Sequence, residues 1–358
     1  MKAVVLVGGE GTRLRPLTLS SPKQMLPIVG VAMIERVLGH LARHGIDEAV
    51  LSLGYRPEAF REAYPDGSAA GVRLTYAQEP EPLDTAGAIR FAADHARIDE
   101  TFVVVNGDVL TDFDLSALVA FHRTHHAEGT IYLSPVTDPS AFGVVPTDDE
   151  GRVVAFVEKP PRGEAPTNLI NAGTYVFEPS MLSRVPAGAR MSIERETFPA
   201  MVRDDALYAL ADESYWLDTG TPVAYLQAHR DLLEGRRGEP PSPGARRLGE
   251  WAWASGEPVI RGAVAGPTWL GDGVLIEEGA TVSWSSIGAG CVIERGATVT
   301  GSVLLDGARV AARSSVNGSV LGRGSIIGER CDVRPVSVLG FGAVVSSGSV
   351  VDGERVPA

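Results

Sequence analysis

The chain is poor in cysteine, in basic charge and in long apolar runs, and each shortage excludes something. Its two cysteines, Cys291 and Cys331, lie far apart with no partner ligand at metal spacing. A disulfide framework and a zinc site are therefore excluded, and two unpaired thiols packed in a core are expected. Against 45 aspartates and glutamates stand only 32 lysines and arginines, a net charge of −13. A surface that holds nucleic acid or an anionic membrane needs dispersed Lys and Arg, so neither partner is expected and any phosphate site must be local. No apolar run reaches the roughly 18 residues that would cross a bilayer, and the amino terminus enters a strand-like pattern without a basic leader. These features predict a protein of the cytoplasm. Apolar residues are plentiful, 44 % of 358, enough to bury a sizeable core in two domains.

Over residues 1–234 apolar runs alternate with amphipathic stretches. The runs "KAVVLV", "EAVLSL", "VRLTYA", "TFVVVN", "TIYLSPV" and "VVAFVEK" read as strands, and "MIERVLGHLARHG", "DTAGAIRFAADHA" and "LSALVAFHRTHH" as helices. That alternation predicts an α/β fold with a mostly parallel sheet, whose ligands sit at the carboxyl ends of the strands. Residues 235–250 concentrate Pro, Gly and Arg without periodic apolar positions, as a surface linker would.

From 251 to 358 the period changes. Leu270, Ile276 and Val282 are followed by Ile287, Ile293 and Val299, by Leu304, Val310 and Val316, and by Leu321, Ile327 and Val333. Steps of six, six and five make a 17-residue repeat. A last set continues at Val338, Val344 and Val350, or at Leu339, Val345 and Val351 if the final coil is one residue longer. A repeat of this size buries its apolar positions only by stacking, and the spacing is similar to that of a left-handed parallel β-helix of the hexapeptide-repeat kind. Its open ends and faces suit a homo-oligomer. All seven histidines precede it, so acyl transfer by a histidine base within the coils is not expected.

The chemistry concentrates in a few stretches. "VGGEGTRLRPLTLSSPKQMLP", residues 7–27, places glycines after the first strand, where backbone N–H groups can approach an anion. It matches neither G-x-G-x-x-G nor G-x-x-x-x-G-K-[ST]. Arg13 and Lys23 instead supply a planar guanidinium and a point charge, a pair suited to a triphosphate whose pyrophosphate leaves. Asp108 in "VVVNGDV" and Asp218 in "YWLDTGTP" stand beside glycine turns, and together they are a candidate two-carboxylate magnesium site. Taken singly, each is as well explained as a turn residue or a cap. In "FVEKP", Glu158 and Lys159 point to opposite faces while the strand lasts, so they share a ligand only where Pro160 ends it.

The opening loop, "QEPEPLDTAGA", "VNGDV", "FGVV", "FVEKP", "NAGTYVF", "SIERETFPAM" and "YWLDTGTP" follow one another in the order found in sugar-1-phosphate nucleotidyltransferases. The chain resembles that family over residues 1–232 and, through the β-helix, over its whole length. Within the family it looks most like the guanylyltransferases that act on mannose 1-phosphate. The resemblance implies a Rossmann-like domain that transfers a nucleotidyl group from an NTP, GTP foremost, to a sugar 1-phosphate, with Mg²⁺ as cofactor. It implies that Gly8, Gly9, Gly11 and Thr12 line the nucleotide, with Arg13 on the β- and γ-phosphates and Lys23 near the reacting phosphates. Gln78 and Gly87 would face the base, Asp108 and Asp218 would hold the metal, and Gly143, Glu158, Lys159 and Asn171 would surround the sugar phosphate.

Two residues depart from the guanylyltransferase pattern. Gln24 stands where a proline is usual, and in thymidylyltransferases a glutamine there helps read a pyrimidine. Asp84 stands where the pattern has a glycine. These leave open dTTP or UTP with glucose 1-phosphate, and a cyclitol 1-phosphate such as valienol 1-phosphate as acceptor. A catalytically silent, nucleotide-sugar-sensing subunit would lose a phosphate cation or a metal carboxylate, whereas Arg13, Lys23, Asp108 and Asp218 are all present.

Overall fold

The structure, a computed structural model, describes residues 1–238 and 240–358; Glu239, inside the expected linker, lies outside the described residues. By spatial contact the chain forms two compact units, Met1–Gly9 with Ile34–Trp216 and Glu10–Met33 with Leu217–Ala358. It thus leaves the first unit within its own glycine loop. No helix among the described residues is long and apolar enough to cross a membrane.

In the first unit, four strands run parallel: β1 (Ala3–Leu6), β2 (Glu48–Leu53), β3 (Val72–Gln78) and β4 (Phe102–Asn106). The near-continuous apolar runs of β1, β2 and β4 are what a strand buried on both faces requires, whereas β3 alternates buried Val72, Leu74 and Ala77 with exposed Arg73 and Thr75. The long strand β5 (Leu169–Phe177) joins β4 antiparallel and extends the sheet. Helices α1 (Met33–Arg43), α2 (Asp84–His95) and α3 (Leu115–Thr124) coincide with the amphipathic stretches. Ile89 and Ala92 of α2 bury with Val4, Val104, Tyr175 and Phe198 in one core. The run "VVAFVEK" shrinks to a two-residue strand, Val157–Glu158. Val153 makes only an isolated bridge to Thr147, Val154 is exposed, and Phe156 fills the space left by the absent side chain of Gly143.

His122 on α3 is buried, with Nδ1 2.8 Å from Thr130 Oγ1 and Nε2 3.1 Å from Glu178 Oε1. Burial outweighs the Glu178 carboxylate and holds the imidazole below its ordinary 6.5. The folded state favours the neutral ring, so its contribution to stability is complete above pH 6.5 and is lost as pH falls through the lower folded value. Urea-unfolding free energies from pH 8 to 5 are expected to fall, and His122→Gln to flatten that slope.

In the second unit the carboxyl-terminal strands stack into three parallel sheets, as a triangular β-helix does. Leu270, Ile287, Leu304 and Leu321 lie in register one coil apart. Ile276, Ile293, Val310 and Ile327 form the second inward column, and Val282, Val299, Val316 and Val333 the third. The last coil is one residue longer, since Leu321 pairs with Leu339, Ile327 with Val345 and Val333 with Val351. Leu339, Val345 and Val351 face inward, while Val344 and Val350 are 64 % and 54 % exposed. Ser285, Ser302 and Ser319 bury in a column in which Ser285 Oγ accepts the Ser302 N–H, Ser302 Oγ accepts the Ser319 N–H and the Ser319 hydroxyl donates to the Arg334 carbonyl, satisfying backbone that the corner would leave unpaired.

The stretch expected as a surface linker is partly built into this unit. Arg246–Arg247 pairs antiparallel with Trp253 and Ala254, and Pro241, Ser242 and Ala245 are buried. Cys291 and Cys331 are free and buried, 0 % and 2 % exposed. Burial pushes the Cys291 thiol up to about 12, so an aromatic disulfide reagent at pH 8 is expected to leave it unlabelled until denaturant is added.

Candidate functional site

The expected site residues divide between the two units. In the second unit, Gly11 adopts the left-handed conformation at φ +63° and precedes the 3-10 turn Thr12–Leu14. A Cβ there would press on Thr18 Cγ2 at 3.0 Å and on Lys23 Cβ at 3.2 Å, and the Gly11 carbonyl accepts the Thr18 hydroxyl at 2.9 Å. Only glycine lets the loop close this tightly on the stem of Lys23.

Arg13 is 60 % exposed, and its Nη2 lies 3.5 Å from Asp218 Oδ2. The other oxygen, Oδ1, accepts the Gly220 N–H at 2.8 Å. A Cβ on Gly220 would overlap Arg13 Nη2, so the glycine makes room for the guanidinium. An exposed pair of this kind contributes at most about 1 kcal/mol, and a phosphate can displace it. Arg15 is engaged elsewhere, by Glu10 at 2.8 Å. Gln24 departs from expectation: it is 1 % exposed, and its Oε1 accepts no hydrogen bond. It lies inside the unit, between half-buried Lys23 and Met25.

In the first unit, Gly8 ends β1. A Cβ on Gly8 would lie 3.4 Å from Glu79 Oε1, and a Cβ on Gly54 would lie 2.9 Å from the Gly8 carbonyl. Glu79 accepts the Ser52 hydroxyl at 3.0 Å and the Leu83 N–H at 3.1 Å. Gly54 and Glu79 therefore brace the glycine loop, at strand ends that were legible but unassigned. Gly9 follows at the last residue of this unit's first segment. Gln78 is exposed at the carboxyl end of β3 and accepts from Arg61 Nη1 at 3.2 Å. Gly87 is buried in α2, where a Cβ would overlap the Ala189 carbonyl.

Asp84 is exposed, at φ +58°, and its Oδ1 accepts the Thr85 N–H at 2.9 Å. The position demands a left-handed residue, glycine by default and Asp or Asn as tolerated substitutes. The aspartate thus performs a glycine's conformational task, and it gives no reason to seek a different acceptor. Asp108 is half-buried beyond β4, in a turn tied to β1 by the Gly107 N–H donating to the Leu6 carbonyl at 3.0 Å.

Glu158 and Lys159 meet as the frayed strand requires. Lys159 is left-handed at φ +48°, which breaks the alternation and brings its Nζ to 3.2 Å from Glu158 Oε1. Gly143 pairs with Glu158, and a Cβ there would lie 3.1 Å from Glu158 Oε2. Asn171 sits at a bulge in β5, its Nδ2 donating to Tyr175 Oη at 3.0 Å and its Oδ1 accepting the Gly173 N–H at 3.1 Å.

Among the described residues no three His, Cys, Asp or Glu side chains gather as a metal cage. Asp218 offers hard oxygen of the kind Mg²⁺ takes, already oriented by the Gly220 N–H.

The parallel sheet, the glycine loop and the paired Arg13 and Asp218 define a phosphate-handling transferase. The nucleotidyl transferase family matches residues 2–235, and the chain belongs to that family. The GMPPB C-terminal domain matches residues 264–358. A mannose-1-phosphate guanylyltransferase of Mycobacterium tuberculosis is 45 % identical over 298 residues, covering 78 % of this chain and 80 % of that protein. The mannose-1-phosphate guanylyltransferase catalytic subunit beta of Dictyostelium discoideum is 41 % identical over 243 residues, 67 % of each chain. Among crystal structures, HddC from Yersinia pseudotuberculosis aligns over 64 % of this chain and 99 % of its own, with TM-score 0.56 and 27 % identity.

Proposed function

We propose that the protein transfers a guanylyl group from GTP to mannose 1-phosphate, giving GDP-mannose and pyrophosphate. The observation that carries this reading is the 45 % identity, across 78 % of the chain, with a mannose-1-phosphate guanylyltransferase. An oxygen of the sugar phosphate attacks the α-phosphorus, the bond to the bridging oxygen of the β-phosphate breaks, and pyrophosphate carries away the electron pair. The nucleophile is already ionised near neutral pH, so positioning and charge neutralisation do the catalysis and no protein base is needed.

Gly8, Gly9, Gly11 and Thr12 admit the triphosphate. Arg13 exchanges Asp218 for the departing pyrophosphate, and Lys23 neutralises the reacting phosphates. Gln78, exposed at the end of β3, takes the base edge. Glu158 accepts hydroxyls of the sugar while Lys159 holds its phosphate, with Gly143 and Asn171 shaping that end. Asp108 and Asp218 would hold Mg²⁺, which when bound neutralises phosphate charge.

Residues 1–234 are read as the catalytic module and 251–358 as the β-helix module, joined by 235–250; the family boundaries at 235 and 264 support that division. We place the protein in the cytoplasm as a homo-oligomer. The test is pyrophosphate release over a matrix of GTP, ATP, UTP and dTTP against mannose, glucose and cyclitol 1-phosphates. Preference for GTP with mannose 1-phosphate is the expected result. A dTTP–glucose preference would restore the thymidylyltransferase reading, and no release from any pair would leave the sensing-subunit reading.

A further inference from the structure

We propose that the β-helix and helix α4 (Pro222–Leu233) clamp the hairpin that ends the cation-bearing segment, and that Trp269 and His229 are positioning residues for nucleotidyl transfer. The proposal rests on the reading of Arg13 and Lys23 as phosphate ligands.

Segment Glu10–Met33 belongs to the same compact unit as the β-helix. It ends in a hairpin in which Pro27–Ile28 pairs antiparallel with Val31–Ala32. The two turn residues, Val29 and Gly30, have φ +47° and +73°, the doubly positive pattern of a type I′ turn. Glycine suits the second position. Valine at the first is an outlier, because a β-branched side chain crowds its own backbone there. Such strain persists only where the surroundings over-determine it, and it gathers at functional sites.

Three contacts supply that constraint. The Val29 N–H donates to His229 Nδ1 at 3.3 Å. The Tyr225 hydroxyl donates to the Pro27 carbonyl. Gly30 lies so close to the Trp269 indole that a Cβ would overlap the ring. Val29, Tyr225, His229 and Trp269 are all buried, and Trp269 is fixed in turn by its Nε1–H donating to Ser255 Oγ at 3.1 Å. At the other end of the segment, Pro16 rests on Gly340, where a Cβ would meet Pro16 Cβ at 3.3 Å.

The hairpin transmits this placement to Lys23. The Met33 N–H donates to the Leu26 carbonyl at 3.1 Å, tying the end of the hairpin to the residue that follows the turn Lys23–Met25. Lys23 therefore takes its position from α4 and the first β-helix coil together. The coils do more than stabilise the chain: they hold a phosphate cation to the tolerance that transfer requires.

The experiment uses the full chain with GTP, mannose 1-phosphate and Mg²⁺. The variants are Trp269→Ala and His229→Leu, with the conservative Trp269→Phe and His229→Asn, whose Oδ1 can accept the same N–H. Trp269→Ala and His229→Leu are expected to lower kcat roughly 10- to 100-fold, with the conservative variants recovering most of it. Amide hydrogen exchange is expected to rise over residues 14–26 while the β-helix core amides keep their protection. If Trp269→Ala does not fold, His229→Leu decides. The proposal is overturned if kcat per folded molecule stays within twofold of the parent chain, or if exchange rises evenly through the whole unit. Should the parent chain turn over no substrate pair, the functional reading fails, and the exchange pattern alone then decides the clamp.

Discussion

Arg13→Gln is expected to reduce kcat by roughly 10²- to 10³-fold, the loss typical of removing one preorganised donor to developing charge. Gly220→Ala is expected to follow it although no charged group is removed. The methyl would occupy the place of Arg13 Nη2, which stands 3.5 Å from Asp218 Oδ2. Displaced by an ångström or more, the guanidinium keeps its charge and loses its aim, so a drop of about 10²-fold follows. Arg13→Lys should recover little, because an ammonium cannot reproduce the planar fork. Pyrophosphate release under saturating substrates checks all three. If Gly220→Ala turns over like the parent, the gap is incidental and Arg13 is placed by something else.

Gly173→Ala is expected to cost about 2–4 kcal/mol and to lower the melting temperature by roughly 4–16 °C. Gly173 sits at φ +74° in the bulge of β5, and a Cβ there would overlap the Asn106 amide. The backbone conformation and the contact both oppose a side chain, and the two penalties act together. Asn106 ends β4 two residues before Asp108, so the surviving folded protein should also turn over slowly. Thermal unfolding and turnover per folded molecule separate the two effects. An unchanged melting temperature would mean that the bulge relaxes around the methyl.

Much of this architecture could be read from the chain because its periods are distinct. The alternation of "EAVLSL" with "MIERVLGHLARHG", and the steps of six, six and five from Leu270 onward, leave few other ways to bury those residues. The final coil was ambiguous for a plain reason: "VL", "VV" and "VV" offer two apolar residues at each position. Only the side that faces the axis distinguishes Val345, 6 % exposed, from Val344 at 64 %. "VVAFVEK" misled because β-branched residues signal a strand even where only two of them find a partner.

The candidate site was legible in its charges and less so in its backbone. Lys159 at φ +48° and Asp84 at φ +58° are conformations that local composition does not announce. Gly220 matters because of Arg13, a residue about two hundred positions earlier, and Gly87 because of the Ala189 carbonyl. Contacts of that kind belong to tertiary structure: the turn glycine Gly220 and the helix glycine Gly87 are spaces reserved for other groups.

The division of the chain into Met1–Gly9 with Ile34–Trp216 and Glu10–Met33 with Leu217–Ala358 bears on synthesis as well as on catalysis. Glu10–Met33 is made before the part of Leu217–Ala358 on which it rests. Until that part follows, the hairpin beside Arg13 and Lys23, the residues we propose meet phosphate, lacks the contacts that hold it. A fragment ending near residue 235 would keep the whole nucleotidyl transferase match and the α4 contacts of the hairpin, and would lose the one that Trp269 makes.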